Sequence, residues 1–346
     1  MKRTFKRAII CAAIASTLVS SAAFADGSVQ LYGLIDMSVD NFKAPGTKNA
    51  WAEQSGDMST SYWGIKGTED LGGGLQAIFA LEGFFLANNG ASGRFTGDTF
   101  FSRNSYVGVQ SASWGAVTVG RLTTEMFLST IIFNPFVDSF TFSPIVLHTF
   151  IGVNGQGVIG DSGWNNAVQY TSPSFGGFSA DAMYSFGNST DFGSHKWGAG
   201  ASYFHGPFAA TVVYQDAKYN NVADDLVTEI PGYTGQNAVQ AGVSYDFSVV
   251  KLYGQYMYVN NSITTGNLKV NTGSGGFSIP LGDGAILADY AYSRSSGAAA
   301  QSRSTFAVGY DYHLSKRTDL YAAYLYDRVT DLSLGQTYGV GIRSMF

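Results

Sequence analysis

Few residues in this chain are spaced for catalysis or metal binding. The four histidines, His148, His195, His205 and His313, are scattered, without the short spacings by which imidazoles share a metal ion. The only cysteine is Cys11. No Gly-x-Ser-x-Gly turn presents a serine nucleophile, and no serine and histidine share a recognisable motif. Gly155-Gln156-Gly157-Val158-Ile159-Gly160 spells a dinucleotide glycine pattern, but it follows no strand and opens no helix, as that chemistry requires. Gly72-Gly73-Gly74 is followed by no Lys-Ser or Lys-Thr, so it reads as a turn and not as a phosphate cradle. The expectation is a protein that is not an enzyme and holds no cofactor and no metal.

The first 25 residues read as a secretory signal peptide. Lys2, Arg3, Lys6 and Arg7 form a basic start, Ala8 to Val19 a short apolar run, and Ala23-Phe24-Ala25 a small-x-small cleavage site. The apolar run is too short for a helical span, which needs about 20 residues. Removing 1–25 takes away Cys11 and leaves 16 basic residues against 25 acidic, a net charge of −9. That acidity argues against nucleic acid as a partner, since neutralising phosphates needs a basic surface.

Charged residues are only 13% of the chain and aromatics 15%, with 43 glycines, yet mean hydropathy is +0.03. Apolar residues must therefore alternate with polar ones instead of clustering. From Val29 to Val39 one face carries Val29, Leu31, Gly33, Ile35, Met37 and Val39, the other Gln30, Tyr32, Leu34, Asp36 and Ser38. Val239 to Phe247, Phe306 to Tyr312 and Tyr338 to Phe346 alternate likewise. The polar face is rich in Gly, Ser, Thr, Asp and Gln, as a wet lumen would be, and the apolar face repeatedly ends in Tyr or Phe, as an interfacial girdle would. This favours a membrane β-barrel over a soluble sandwich.

Sixteen strands are expected, near 28–42, 59–70, 73–86, 99–111, 115–122, 164–173, 177–187, 195–205, 207–219, 236–247, 249–261, 265–278, 283–295, 302–314, 317–329 and 334–346. Tight connections alternate with long ones, the expected asymmetry of periplasmic turns and outer loops. The fold class is thus an all-β, 16-stranded antiparallel transmembrane β-barrel, with 26–346 as one domain. A barrel of that size encloses an aqueous channel. Leu122 to Gly163 shows no alternation, and a loop that long in a wide barrel can fold inward and narrow the lumen.

Particular stretches carry a family resemblance. Ser28-Val29-Gln30-Leu31-Tyr32-Gly33-Leu34-Ile35-Asp36 resembles the opening strand of the general bacterial porins, the branch common in β-proteobacteria. Gly64-Ile65-Lys66-Gly67-Thr68-Glu69-Asp70-Leu71-Gly72-Gly73-Gly74-Leu75 is similar to their second hairpin. Phe101-Ser102-Arg103-Asn104-Ser105-Tyr106-Val107-Gly108, Gly120-Arg121 and Tyr170 to Phe178 also match. The resemblance spans 26–346. It implies a homotrimer in the Gram-negative outer membrane, in contact with lipid and lipopolysaccharide, each barrel with its own pore for passive diffusion. It further implies an inward-folded loop 3, acidic and facing wall arginines, and a terminal aromatic, here Phe346, read by the barrel-assembly machinery.

Arg103 stands where the family has a wall arginine, and Lys66 lies in the matching hairpin. Two other usual arginine positions hold Tyr62 and Gly163, the latter followed by Trp164, and strand parity places 62 and 163 on the lumen side. Loop 3 offers Glu125 and Asp138 as acids, amid Phe127, Phe133, Phe136, Phe140 and Phe142. The expected constriction, formed by Arg103, Tyr62, Lys66, Trp164, Glu125 and Asp138, is less basic and more aromatic than is usual in the family, with a weak cation preference. The phenylalanines either surface the pore or pin the loop. Arg121, on the outer parity of Val117 and Val119, is expected to latch the subunit interface. Asp224, Asp225 and Glu229 read as solvated loop charge, with divalent ions bridging lipopolysaccharide phosphates as the sharper alternative, and Asn188-Ser189-Thr190 is a glycosylation site by spelling only. A substrate-preferring porin for sugars or small aromatic compounds, and an outer-membrane hydrolase, are the competing functions.

Overall fold

Dyad alternation becomes strand nearly everywhere it occurs. The computed structural model describes residues 27–153, 156–158, 161–186, 195–218, 232–264 and 266–346. The signal segment 1–25, the Asn188 tripeptide, the acidic cluster at 224–229 and residues 155, 159 and 160 of the glycine stretch lie outside them. The strands are β1 Ser28–Phe42, β2 Ala50–Ser55, β3 Tyr62–Gly72, β4 Leu75–Leu86, β5 Ala91–Ser92 and β6 Asn104–Ser111. They continue with β7 Gly115–Thr123, β8 Gly163–Thr171, β9 Phe178–Ser185, β10 Lys196–His205, β11 Phe208–Lys218 and β12 Tyr233–Asp246. The last are β13 Lys251–Ile263, β14 Gly266–Leu281, β15 Gly284–Gly297, β16 Ser302–His313, β17 Thr318–Val329 and β18 Gly335–Met345.

Each of the sixteen expected segments is one barrel strand. The additional β2 and β5 lie in the connections read as plain loops. β2 pairs only the upper part of β1, from Met37↔Ser55 to Phe42↔Ala50, and β5 only the tip of β4. The lower part of β1 pairs β3, from Ser28↔Thr68 to Leu34↔Tyr62. Its other edge pairs β18, from Leu34↔Met345 to Asn41↔Tyr338, which closes the ring. Closure removes the open edges that lipid could not hydrogen-bond.

Exposure shows which face is which. Val29 and Leu31 are 72% and 62% exposed, whereas Asp36 and Asp40 on the opposite face are 0% exposed. Apolar side chains thus point outward and polar ones inward, the reverse of a soluble protein and the arrangement of a lipid-facing barrel. Short turns use glycine where the backbone demands it: Gly72, Gly73 and Gly74 have φ of +85°, +60° and +79°. Gly341 has a different reason. A Cβ there would collide with the ring of Tyr321, whose hydroxyl reaches across the wall to donate to Asp36 Oδ1 at 2.6 Å.

Among the described residues between β7 and β8 there are two short helices, α1 Glu125–Ile132 and α2 Pro144–Phe150. Thr124 caps α1 by accepting from the Phe127 N–H; Ser143 caps α2 by accepting from the Val146 N–H, with Pro144 opening the helix. These caps explain why the segment lacks strand alternation. The apolar core lies inside the barrel, between this segment and the wall. Phe136, Phe142 and Leu147 pack with Met58, Leu287, Ala307, Tyr321, Ala323 and Leu325. Met126 and Val158 pack with Val213, Ala238, Met257, Val259, Leu268 and Val270.

Candidate functional site

The lumen has a covered wall and a bare wall. The covered wall is β11 to β17, where the loop between β7 and β8 is fastened by polar side chains. In α1, Ser129 Oγ donates to Gln240 Oε1, Gln240 Nε2 donates to Thr130 Oγ1 at 3.0 Å, and Gln255 Nε2 donates to the Thr130 carbonyl at 3.0 Å. In α2, His148 bonds Ser293 Oγ through Nδ1 and Thr305 Oγ1 through Nε2, the latter at 2.7 Å. Arg303 Nη1 donates to the Leu147 and Ile151 carbonyls at 2.9 and 2.8 Å, at the C-terminal end of α2. Its other nitrogens pair both oxygens of Asp327. The basic group at a helix C-terminus meets carbonyls the helix leaves unpaired.

The loop phenylalanines divide between the two roles expected of them. Phe133, Phe136 and Phe142 are buried and pin the loop. Phe127 and Phe140 remain partly exposed and stack on each other at 5.9 Å, with Phe150 edge-on to Phe127 at 5.1 Å.

The bare wall is β1, β3, β4 and β6. Tyr62 lies opposite Leu34 and Phe84, on the lumen face as expected. The Arg103 guanidinium sits 4.2 Å from the centre of the Tyr62 ring and pairs with Glu82. Glu82 also accepts from Tyr32 Oη at 2.6 Å, and Lys66 Nζ sits 4.6 Å over the Tyr32 ring. Tyr62, Arg103, Lys66, Tyr32 and Glu82 thus form one cluster. Glu82 is nearly buried within it, while the Arg103 side chain is 34% exposed and Lys66 is exposed.

Asp138 belongs near this cluster. It accepts from Ser59 Oγ at 2.7 Å, and Ser59 Oγ accepts from Arg343 Nη1 at 3.0 Å. Arg343 also pairs Asp311 and Asp319. Sequence reasoning passed over Arg343, although its alternation with Tyr338, Val340 and Ile342 already placed it on the polar face.

Glu125 and Trp164 lie elsewhere. Trp164 is 6% exposed and packs with Leu122, Ala167 and Met183, so it is core and not open pore lining. Parity at 163 also fails. Trp164 pairs Leu122 and Ala167 pairs Gly120, so β8 spends one more residue than β7 there, with Asn166 at φ +51°. This bulge turns Trp164 inward and gives Gly163 the opposite parity. Glu125 lies beside Trp164 and Asp181, and burial, with the nearby Asp181 charge, pushes its carboxyl up to about 7.

Arg121 latches within the chain. It donates to the Ser102 carbonyl at 2.7 Å and to Asn165 Oδ1 at 2.7 Å, and pairs Asp161 at the end of loop 3. Arg94, between β5 and β6, pairs the same Asp161 at 2.8 Å and Asp98 at 2.8 Å. Burial alone would raise the Asp161 pKa, but the Arg94 hydrogen bonds and the charges of Arg121 and Arg94 hold it well below the usual carboxylate range. Phe346 exchanges backbone hydrogen bonds with Gly33 and borders a surface hollow with Trp63, Phe84 and Phe100. His313, isolated in sequence, comes together with Asp311 and Asp319, against the expectation of no metal-ligand grouping.

Comparison with known proteins identifies the family and the fold. A family profile described as Gram-negative porin matches residues 11–332. An outer membrane porin of Bordetella pertussis is 29% identical over 100% of both chains. Outer membrane porin protein 32 of Delftia acidovorans is 33% identical, covering 89% of this chain and 86% of its own. The solved anion-selective porin from Comamonas acidovorans superposes with a TM-score of 0.77 at 26% identity, covering 92% of this chain and 100% of that one. The cation preference expected from net charge finds no support in these comparisons.

Proposed function

This chain belongs to the Gram-negative porin family of outer-membrane diffusion channels, and on that footing we propose a constriction that passes small hydrophilic solutes and weakly favours anions. Accessibility is the observation that carries this reading. In the bare-wall cluster the cations Lys66 and Arg103 are the accessible charges, whereas Glu82 is nearly buried and hydrogen-bonded. On the opposite wall Asp327 is sealed against Arg303 behind loop 3. Permeating ions respond most to the charges that line the water, since buried pairs largely cancel. The net charge of the whole chain is a poor guide for the same reason.

In this reading Arg103, Lys66 and Tyr62 carry the narrow point, with Asp138 of loop 3 close beside them, and the barrel acts as a passive pore and not as an enzyme. A homotrimer in contact with lipopolysaccharide, and recognition of Phe346 during assembly, are parts of the same proposal. Purified protein in proteoliposomes should let small neutral sugars enter and swell the vesicles at rates that fall with solute size. Vesicles that stay impermeable to glycerol-sized solutes would rule out an open pore.

The stacked Phe127 and Phe140, with Phe150 beside them, favour a second reading in which planar aromatic solutes dwell against loop 3. Saturable block of ion current by an aromatic carboxylate, lost in Phe140→Ala, would establish it. Block that rises linearly with concentration would argue against it.

A further inference from the structure

We propose that the lumen mouth at the β16–β17 hairpin is a binding site for a divalent transition-metal ion, best matched to Zn2+, with His313, Asp311 and Asp319 as ligands. The placement follows from strand geometry. Asp311 and His313 are two apart on β16, so they share the lumen face, and His313 pairs directly with Asp319 on β17. The spacing His-x5-Asp across a tight turn has no metal signature in sequence, but folding brings one imidazole nitrogen and two carboxylate oxygens within 4.8 Å of one another. The His313 backbone is fixed by donating to the Asp283 carbonyl at 2.9 Å, while its side chain is exposed and can turn toward the carboxylates.

A second observation points to a missing ligand. Asp311 is 9% exposed, and its Oδ1 is buried with no hydrogen-bond partner. Arg343 does not meet that need. It takes Oδ2 of Asp311 at 3.1 Å and Oδ2 of Asp319 at 2.9 Å. One guanidinium thus holds both carboxylates through their Oδ2 atoms and leaves Asp311 Oδ1 unpaired. This is the outer-partner role that orients carboxylate ligands in metal sites.

Mixed imidazole and carboxylate donors suit Zn2+ and its neighbours better than Ca2+ or Mg2+, which favour all-oxygen shells. Tetrahedral Zn2+ needs ligand atoms about 3.4 Å apart, a closure the exposed His313 ring supplies by rotation. The positive charge of Arg343 opposes the ion, so moderate and reversible binding is expected. A bound ion would add positive charge at the mouth of the channel.

The test is calorimetric titration of the folded, detergent-solubilised protein with zinc chloride. Wild type should show one site per chain, with its dissociation constant raised tenfold or more in His313→Ala and in Asp319→Asn. His205→Ala, which removes an exposed imidazole at another turn, should bind as wild type does. Heat-modifiable electrophoretic mobility confirms that each variant is a folded barrel. No binding by wild type, equal binding by His313→Ala, or loss of binding in His205→Ala instead would overturn the assignment.

Discussion

The covered and bare walls are built from the same alternation, yet they solve opposite problems. On the covered wall the inward residues are Gln240, Gln255, Ser293, Thr305 and Arg303, and each finds a partner in loop 3. On the bare wall Tyr32, Tyr62, Lys66 and Arg103 partner one another and Glu82, leaving charge in contact with water. The difference teaches where stability and selectivity reside. Substitutions behind loop 3 should change how firmly the constriction is held, and substitutions on the bare wall should change what passes through it.

The sharpest way to break that division is Arg303→Ala. It strands Asp327 and frees the α2 carbonyls, so thermal unfolding of the barrel should show a loss of about 3–5 kcal/mol. A change under about 1 kcal/mol would mean that loop 3 is not anchored there. Phe136→Ala, in the core behind the loop, should cost about 3 kcal/mol and add noise to single-channel currents. On the bare wall, Lys66→Glu should leave stability within about 0.5 kcal/mol while moving the reversal potential toward cations. Tyr62→Arg should move it toward anions, and no movement would place Tyr62 away from the narrow point.

The smallest effect is expected from pH. Because Glu125 is raised to about 7, it is largely neutral at pH 6 and charged at pH 8. Ionising this buried carboxyl costs stability, so the penalty is absent below the ordinary glutamate range and stability falls as pH rises through about 7. Anion preference should therefore fall slightly from pH 6 to 8 in wild type and not in Glu125→Gln. An identical pH profile in that variant would remove Glu125 from the constriction's electrostatics.

The barrel was legible because its rule is local. Dyad alternation, short turns and aromatic ends located all sixteen strands, each within a few residues. The loop helices were not legible, since their signals are single caps, Thr124 and Ser143, inside a stretch whose apolar residues face a wall assembled from distant strands. Position 163 was misread because parity counts assume an unbroken ladder, and the bulge at Asn166 shifts it by one. Trp164 was misread for a different reason: the bulge turns it inward, but it packs in the core beside the loop helix instead of lining open water. Asp311, His313 and Asp319 were invisible as a group because only cross-strand register brings them together. The cation preference read from net charge lacks support for a related reason: composition counts acids without revealing that Asp327 and Glu82 are paired and buried.

The most direct measurement is the zero-current potential of single channels across a tenfold salt gradient in a planar bilayer. A water-filled pore whose accessible charge is Lys66 and Arg103 should conduct steadily, and its potential should carry the sign of modest anion selectivity, reversing toward cations in Lys66→Glu. Firm cation selectivity in wild type, unchanged by that substitution, would contradict the account.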